Sequence, residues 1–283
     1  MTLIDRAVDL LRDRSVVALT GAGLSTDSGI PDYRGPTARP ATPMMYGEFA
    51  GSVEARRRYW ARSYLGWSRI GVARPNSGHL ALARLESAGL LGVITQNVDG
   101  LHEAAGSSRV IDLHGRIDQV ICLDCGLRVT RSWVQDQLAA LNPDVRPADR
   151  LEHAELRPDG DAVVEDWGDF RLVDCPRCGG RLKPDVVFFG ESVPRERVDQ
   201  SYRLVDEAEV LLVAGSSLTV MSGLRFVRHV WKSGRPVIIV NRGVTRGDAQ
   251  ATIKIDDGTS EVLSRFADEL ITTGDSPRPR AVH

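Results

Sequence analysis

Hydrophobic residues along this chain fall into two patterns. Val16-Val17-Ala18-Leu19, Leu91-Gly92-Val93-Ile94, Val110-Ile111-Asp112-Leu113, Val210-Leu211-Leu212-Val213 and Pro236-Val237-Ile238-Ile239-Val240 are short, nearly continuous apolar runs. A strand covered on both faces has this pattern, because neither side of its pleat meets water, so each run predicts a buried parallel strand. Between the runs the period lengthens. Segments 194–208, 222–233 and 260–271 have helical spacing, and Leu3, Ile4, Ala7, Val8, Leu10 and Leu11 form a helical stripe at the start. Strand and helix in alternation predict an α/β fold built on a doubly wound parallel sheet, with ligands held beyond the carboxyl ends of the strands.

Composition narrows the class. Over 283 residues, 42% hydrophobic and 26% charged content with a formal charge of -2 describe an ordinary globular chain, without the basic excess that would make nucleic acid a main partner. No apolar run approaches membrane-spanning length. Asp5, Asp9 and Asp13 interrupt the opening segment, which is therefore read as mature protein and not as a secretory leader. The four cysteines are two pairs, Cys122-x-x-Cys125 and Cys175-x-x-Cys178. Each Cys-x-x-Cys turn brings two thiolates to one point, and two such turns supply the tetrahedral sulfur shell that zinc favours. Four sulfurs leave no open position, so the ion is expected to be structural. Unrelated thiols or two disulfides are the alternative, disfavoured by the ligand spacing and by a chain long enough to bury a core unaided. Reduced, zinc-binding thiols point to the cytoplasm.

The polar clusters follow the predicted strands. Thr20-Gly21-Ala22-Gly23-Leu24-Ser25-Thr26 succeeds the first; it is either a bare glycine turn or one that lets a pyrophosphate approach the backbone. Thr26 stands where the dinucleotide fingerprint wants a third glycine. Ser28-Gly29-Ile30-Pro31-Asp32-Tyr33-Arg34 continues as a loop of the kind that closes over a ligand. Thr95-Gln96-Asn97-Val98-Asp99-Gly100-Leu101-His102 offers amides and a carboxylate for ribose hydroxyls and a carboxamide. His114, beside Gly115 at a strand end, is the natural general base. His79, His153, His229 and His283 are read as ordinary surface or satisfied residues. Gly215-Ser216-Ser217 and Asn241-Arg242-Gly243 end later strands and permit close approach by the far end of a dinucleotide.

Taken in order, Gly21-Ala22-Gly23-Leu24-Ser25, Gly29-Ile30-Pro31-Asp32-Tyr33-Arg34, Thr95-Gln96-Asn97-Val98-Asp99, His114-Gly115, the cysteine pairs, Lys183-Pro184-Asp185-Val186-Val187-Phe188-Phe189-Gly190-Glu191 and Gly215-Ser216-Ser217-Leu218 resemble the sirtuins over residues 5–270. Tyr59-Trp60-Ala61-Arg62 and the long segment between the cysteine pairs, with Leu156-Arg157-Pro158-Asp159-Gly160-Asp161, resemble the class II branch. The resemblance implies a Rossmann-like sheet with an inserted zinc-binding module and a helical module. It implies NAD-dependent removal of an acyl group from a protein lysine, with transfer to ADP-ribose and release of nicotinamide. Gly21, Ala22, Gly23, Thr26, Ile30, Asp32, Tyr33, Arg34, Gln96, Asn97, Val98 and Asp99 would line the cofactor, and Gly215, Ser216, Ser217, Asn241, Arg242 and Gly243 its adenosine side. His114, Asn97 and Asp99 would be catalytic. Most sirtuins carry phenylalanine where Tyr33 stands, a departure that bears on acyl preference.

Acyl-lysine proteins are the implied partners. Val187, Phe188, Phe189 and Gly190 would take the peptide as an added strand, though on pattern alone the segment from Val186 reads better as an ordinary core strand. Tyr59 and Arg62, three apart on a predicted helix, resemble the Tyr-x-x-Arg pair that binds acidic acyl groups in class III; against this, Arg62 is one more charge near Arg56, Arg57 and Arg58. The expected layout is a nucleotide-binding domain of 1–36, 80–119 and 182–275, a helical module of 37–79 and a zinc module of 120–181 with its knuckles against the sheet, then a disordered tail, 276–283. Tyr46, Phe49, Tyr59, Trp60, Tyr64 and Trp67 are read as the helical module's core. Mono-ADP-ribosyl transfer to a protein is the alternative activity.

Overall fold

Six strands lie side by side in the order β3-β2-β1-β7-β8-β9, with every neighbouring pair parallel. They are β1 (Val16–Thr20), β2 (Leu90–Thr95), β3 (Val110–Asp112), β7 (Val210–Ala214), β8 (Val237–Val240) and β9 (Ile253–Ile255). The computed structural model describes residues 1–33, 43–145 and 168–272; Arg34, His153, the 156–161 stretch and the 276–283 tail lie outside them. The chain enters at β1, winds outward through β2 and β3, and resumes at β7 on the other side of β1. The winding reverses beside β1, which is where a crevice at the carboxyl edge is expected.

The all-apolar runs have a simple cause. In β1, Val16 and Ala18 join one core while Val17 and Leu19 join another, and β7 and β8 alternate in the same way. Successive side chains point to opposite faces, and both faces are covered. One cover is α1 (Leu3–Leu11), α4 (Ser77–Leu85) and α9 (Thr259–Thr272); the other is α7 (Arg195–Glu207) and α8 (Met221–Lys232). Helix α1 starts at a reciprocal cap. The Thr2 hydroxyl accepts from Asp5 N, and the Asp5 carboxylate accepts from Thr2 N at 2.7 Å. Strand β9, only Ile-Lys-Ile between polar neighbours, has no counterpart among the predicted strands.

A smaller antiparallel sheet, β5-β4-β6, is formed by β4 (Gly115–Cys122), β5 (Arg128–Thr130) and β6 (Leu182–Val186). It shares one core with α2 (Tyr46–Gly51), α3 (Val53–Ile70) and α6 (Arg131–Leu141), containing Phe49, Tyr59, Trp60, Tyr64, Val120, Leu182 and Phe188. Cys122 and Cys175 belong to it too. The cysteine turns thus pack on the aromatic side of α3, and not on the large sheet as expected. Arg131 locks this core. It is fully buried with its guanidinium between Trp60 and Trp67, 5.3 and 5.0 Å from the ring centroids, and donates to Ser63 O at 3.0 Å. Burial lowers its pKa to about 10, which still leaves it charged at neutral pH. Among the described residues, no helix is long and apolar enough to cross a membrane.

The two sheets are joined by two residues, Leu113 and His114, between β3 and β4. Gly115 then turns the chain at φ 81°, and a Cβ there would lie 1.9 Å from Asp185 O of β6. No side chain fits against that carbonyl. Gly115→Ala is expected to destabilise the protein by about 2–4 kcal/mol through displaced β4–β6 pairing. Chemical denaturation measures this, and a wild-type midpoint would show the pairing to be slack at that point.

Candidate active site

A cavity of about 860 Å³ opens at the carboxyl edge of the large sheet. Gly21, Ala22, Gly23, Ile30, Asp32 and Tyr33 line it from the segment after β1; Gln96, Asn97, Val98 and Asp99 from the turn after β2; and His114 from the link after β3. Gly215, Ser216 and Ser217 follow β7, and Asn241, Arg242 and Gly243 follow β8. Val187, Phe188, Phe189 and Gly190 contribute from the turn after β6, and Tyr59 from α3. Two of the predicted residues do not line it. Thr26 is exposed and donates its hydroxyl to Gly23 O at 3.1 Å, and Arg62 is half-buried on α3.

The imidazole of His114 is held at both nitrogens. Nδ1 lies 2.9 Å from Gln96 O, and Nε2 lies 2.8 Å from Ser222 Oγ at the start of α8. A carbonyl only accepts, so Nδ1 carries the proton. In the neutral ring Nε2 is then a lone pair, and the Ser222 hydroxyl donates to it. Burial holds the ring's pKa below 6.5; the Gln96 bond opposes that shift and nearby Arg197 reinforces it. His114 is therefore a neutral acceptor at physiological pH.

The turn after β2 is fixed by its own side chains. Asn97 Nδ2 donates to Gly21 O at 3.1 Å and Ser25 Oγ at 3.0 Å, and Ser25 Oγ donates to Asp99 Oδ2 at 2.7 Å. Gln96 Oε1 accepts from Ser216 Oγ at 2.6 Å, tying the turns after β2 and β7 across the crevice. Behind them lies a buried polar chain that starts from His102 on the short helix α5 (Leu101–Ala104). His102 Nε2 is 2.8 Å from Thr20 Oγ1, which donates to Thr95 Oγ1 at 2.9 Å, and Thr95 Oγ1 accepts from Asn97 N. His102 is almost wholly buried, and burial, helped by neighbouring His79, brings its pKa down to about 3. His79 is also fully buried, at the capped start of α4.

On the β6 side the backbone departs from expectation. The strand ends at Val186, and the following turn uses its own polar groups: Val187 N donates to His114 O at 2.8 Å, Phe188 N to Glu191 Oε2 at 2.9 Å, and Glu191 N to Phe188 O at 3.0 Å. Phe188 packs against Phe49 and Tyr59, at centroid distances of 5.1 and 5.2 Å. Buried Lys183 braces the turn from beneath, donating to Val186 O and, at 3.1 Å, to Glu191 Oε2. Ser25, Ser222 and Arg225 also reach the cavity. Ser25 was visible within its glycine motif, whereas Ser222 and Arg225 carry no motif.

The cysteines meet as their spacing predicts. All four Sγ atoms lie within 4.8 Å of one another, with Cys122–Cys178 at 3.6 Å and Cys125–Cys175 at 3.7 Å. A tetrahedral ion with Zn–S bonds of about 2.3 Å separates its sulfurs by about 3.8 Å, whereas a disulfide needs about 2.05 Å. The donor set fits a closed structural zinc site.

Comparison with known proteins agrees with this geometry. The model of the Sir2 family matches residues 21–222. An NAD-dependent protein deacetylase 1 of Mycobacterium avium (strain 104) is 55% identical over 265 residues, covering 93% of this chain and 94% of the relative. One of the same name from Streptomyces coelicolor is 53% identical over 274 residues, covering 95% and 90%. Among solved structures, "Sir2-p53 peptide-NAD+" superposes with a TM-score of 0.73 at 32% identity, covering 98% of this chain and all of that one. A second, described as "Structural Basis for the Mechanism and Regulation of Sir2 Enzymes", gives 0.75 at 29% identity, covering 95% and 98%.

Two outcomes are expected from the site's buried groups. Chelating the zinc, or Cys175→Ser, should loosen the small sheet and the α3 core with it; full activity and an unchanged melting temperature after verified metal removal would contradict this. His102 refuses a proton that the unfolded chain accepts, so stability should be full above pH 6.5 and decline as pH falls from 6.5 towards 3. In urea titrations across that range, His102→Gln should flatten the slope. An equal slope in that variant would assign it elsewhere.

Proposed function

We propose how this chain, which belongs to the Sir2 family, carries out its reaction as an NAD-dependent protein deacylase. His114 acts as general base and receives a proton at Nε2. Three features support this reading: the Nδ1 bond to Gln96 O sets the tautomer, burial keeps the ring neutral, and Ser222 aims the accepting lone pair. NAD, when bound, supplies the ribosyl carbon that accepts the acyl oxygen, with nicotinamide as leaving group. Gly21, Ala22, Gly23, Ile30, Asp32 and Tyr33, with Gly215, Ser216 and Ser217, would hold it through the backbone of two facing turns. Asn241, Arg242 and Gly243 would meet its adenosine end. Asn97 and Asp99, already fixed by Ser25 and Gly21, would orient its ribose and carboxamide without reorganising, which is where positioning lowers a barrier.

The acyl-lysine of a protein substrate enters between the turn after β6 and the start of α8. Its tail faces the apolar end of the cavity at Tyr59, Ile70 and Ile117, which also keeps water from the reacting centre. We assign the chain to the class II branch on Tyr59-Trp60-Ala61-Arg62 and the long segment between its cysteine pairs, and place it in the cytoplasm on its four thiols. Nucleic acid has no part in this scheme.

Incubation with NAD and a panel of acyl-lysine peptides, with mass spectrometry of peptide and nucleotide, tests the reaction. One nicotinamide released per acyl group removed is the expected ratio; ADP-ribose found on protein with the acyl group intact would favour ADP-ribosyl transfer. His114→Ala should cut turnover by roughly 10²- to 10⁴-fold while NAD still binds. Because the pKa of His114 lies below 6.5, the acid limb of the rate profile should fall below 6.5 as well. Wild-type rates in His114→Ala would remove it from the mechanism.

A further inference from the structure

Arg225 lines the cavity from α8, and nothing in the reaction described above uses it. It stands three residues after Ser222, so the two are neighbours on one helix face, and Ser222 touches the base at His114 Nε2. Its Nε donates to Met221 O at 3.3 Å, which leaves the two terminal nitrogens of the fork. Among the described residues no carboxylate pairs with it. Of the three acids lining the cavity, Asp99 is held by Ser25 and Glu191 by Lys183, and Asp32, on the segment after β1, has an interaction of its own; α8 carries Arg225, Arg228, His229 and Lys232 but no acid.

That arrangement has a cost that a carboxylate offsets best, because it supplies both acceptors and the opposite charge. A substrate lying along the start of α8 takes water from the guanidinium, and a desolvated cation without a partner is unfavourable. The acyl-lysine amide is neutral and cannot compensate. The acyl tail is assigned to a different wall: Tyr59, Ile70 and Ile117 belong to the α3 core, whereas Leu224, Phe226 and Val227 anchor α8 in the other. We propose that Arg225 is a specificity residue that binds a carboxylate side chain of the substrate protein close to the acyl-lysine, so that this enzyme favours lysines in acidic surroundings. The inference rests on the deacylase reading of the site.

The test uses the full chain with NAD and acetyl-lysine peptides in which Asp or Glu is placed, one position at a time, within three residues of the lysine, against Asn or Gln isosteres. Wild type should show roughly tenfold higher kcat/KM for the best acidic peptide, expressed in the peptide KM, as a charge-assisted bond would give. Arg225→Gln should bring that ratio to about one, and Arg225→Glu should reverse it in favour of lysine or arginine at the same position. Melting temperatures of both variants confirm that they fold. Equal rates for acidic and neutral peptides in wild type would overturn the proposal, as would a ratio that survives Arg225→Gln. A rise in the KM for NAD with every peptide would assign the fork to cofactor phosphate instead. A succinyl-lysine arm on the neutral peptide separates the remaining source: an Arg225-dependent gain confined to it would put the carboxylate on the acyl tail and overturn the flanking assignment. Turnover of the neutral acetyl peptide by wild type is the control that separates failure of the deacylase reading from failure of this one.

Discussion

The crevice depends on two backbone turns that press directly against one another. Gly21 N donates to Ala214 O at 3.1 Å and Gly23 N to Gly215 O at 2.8 Å, so the turns after β1 and β7 are stitched together just beyond the sheet. Gly215 sits at φ 66°, and a Cβ on it would lie 2.3 Å from Leu24 N. Such closeness is open only to glycine. From this contact the rest of the site is hung. Asn97 reads the carbonyl of Gly21, Ser25 links Asn97 to Asp99, and Ser216 ties Gln96 to the β7 turn. The glycines are therefore needed for the fit of one turn on the other before any phosphate arrives.

Two histidines near this contact show how placement separates chemistry from support. Burial lowers the pKa of both His102 and His114, and each has a hydrogen-bonded nitrogen. His102 is sealed beneath the sheet end and hydrogen-bonds only within a threonine chain. His114 lines the cavity, and its accepting nitrogen meets the hydroxyl of Ser222, which lines the cavity too. An imidazole becomes a base when its free nitrogen has somewhere to take a proton from.

Much of the fold was legible because period and burial agree. The five apolar runs became five strands of the large sheet, since residues such as Val16 and Val17 go to opposite cores and both must be apolar. Strand β9 escaped because three residues between polar neighbours carry no period. That the loops after the strands line a cavity was legible from their position; the roles given to them are those the sirtuin resemblance implies. Ser222 and Arg225 were not legible, because Ser222 reaches the site by contact across more than a hundred residues with His114 and Arg225 follows it on the same helix, which no local pattern records. Nor did the alternation of Val187 to Gly190 show how much of that backbone is free to pair: the amides of Val187 and Phe188 are already spent on His114 and Glu191.

The two-residue link between the sheets has a consequence for how this chain can vary. His114 is half of the only covalent step from β3 of one sheet to β4 of the other, with Gly115 wedged against Asp185 immediately after it. Residues added between the cysteine pairs fall outside the β3–β4 link and leave its length unchanged. One residue added between Asp112 and Gly115 would turn the imidazole to the wrong side of the chain and slip β4 against β6 at the same stroke. Tolerance to insertion is thus steeply graded along the sequence, and its minimum coincides with the histidine proposed as general base.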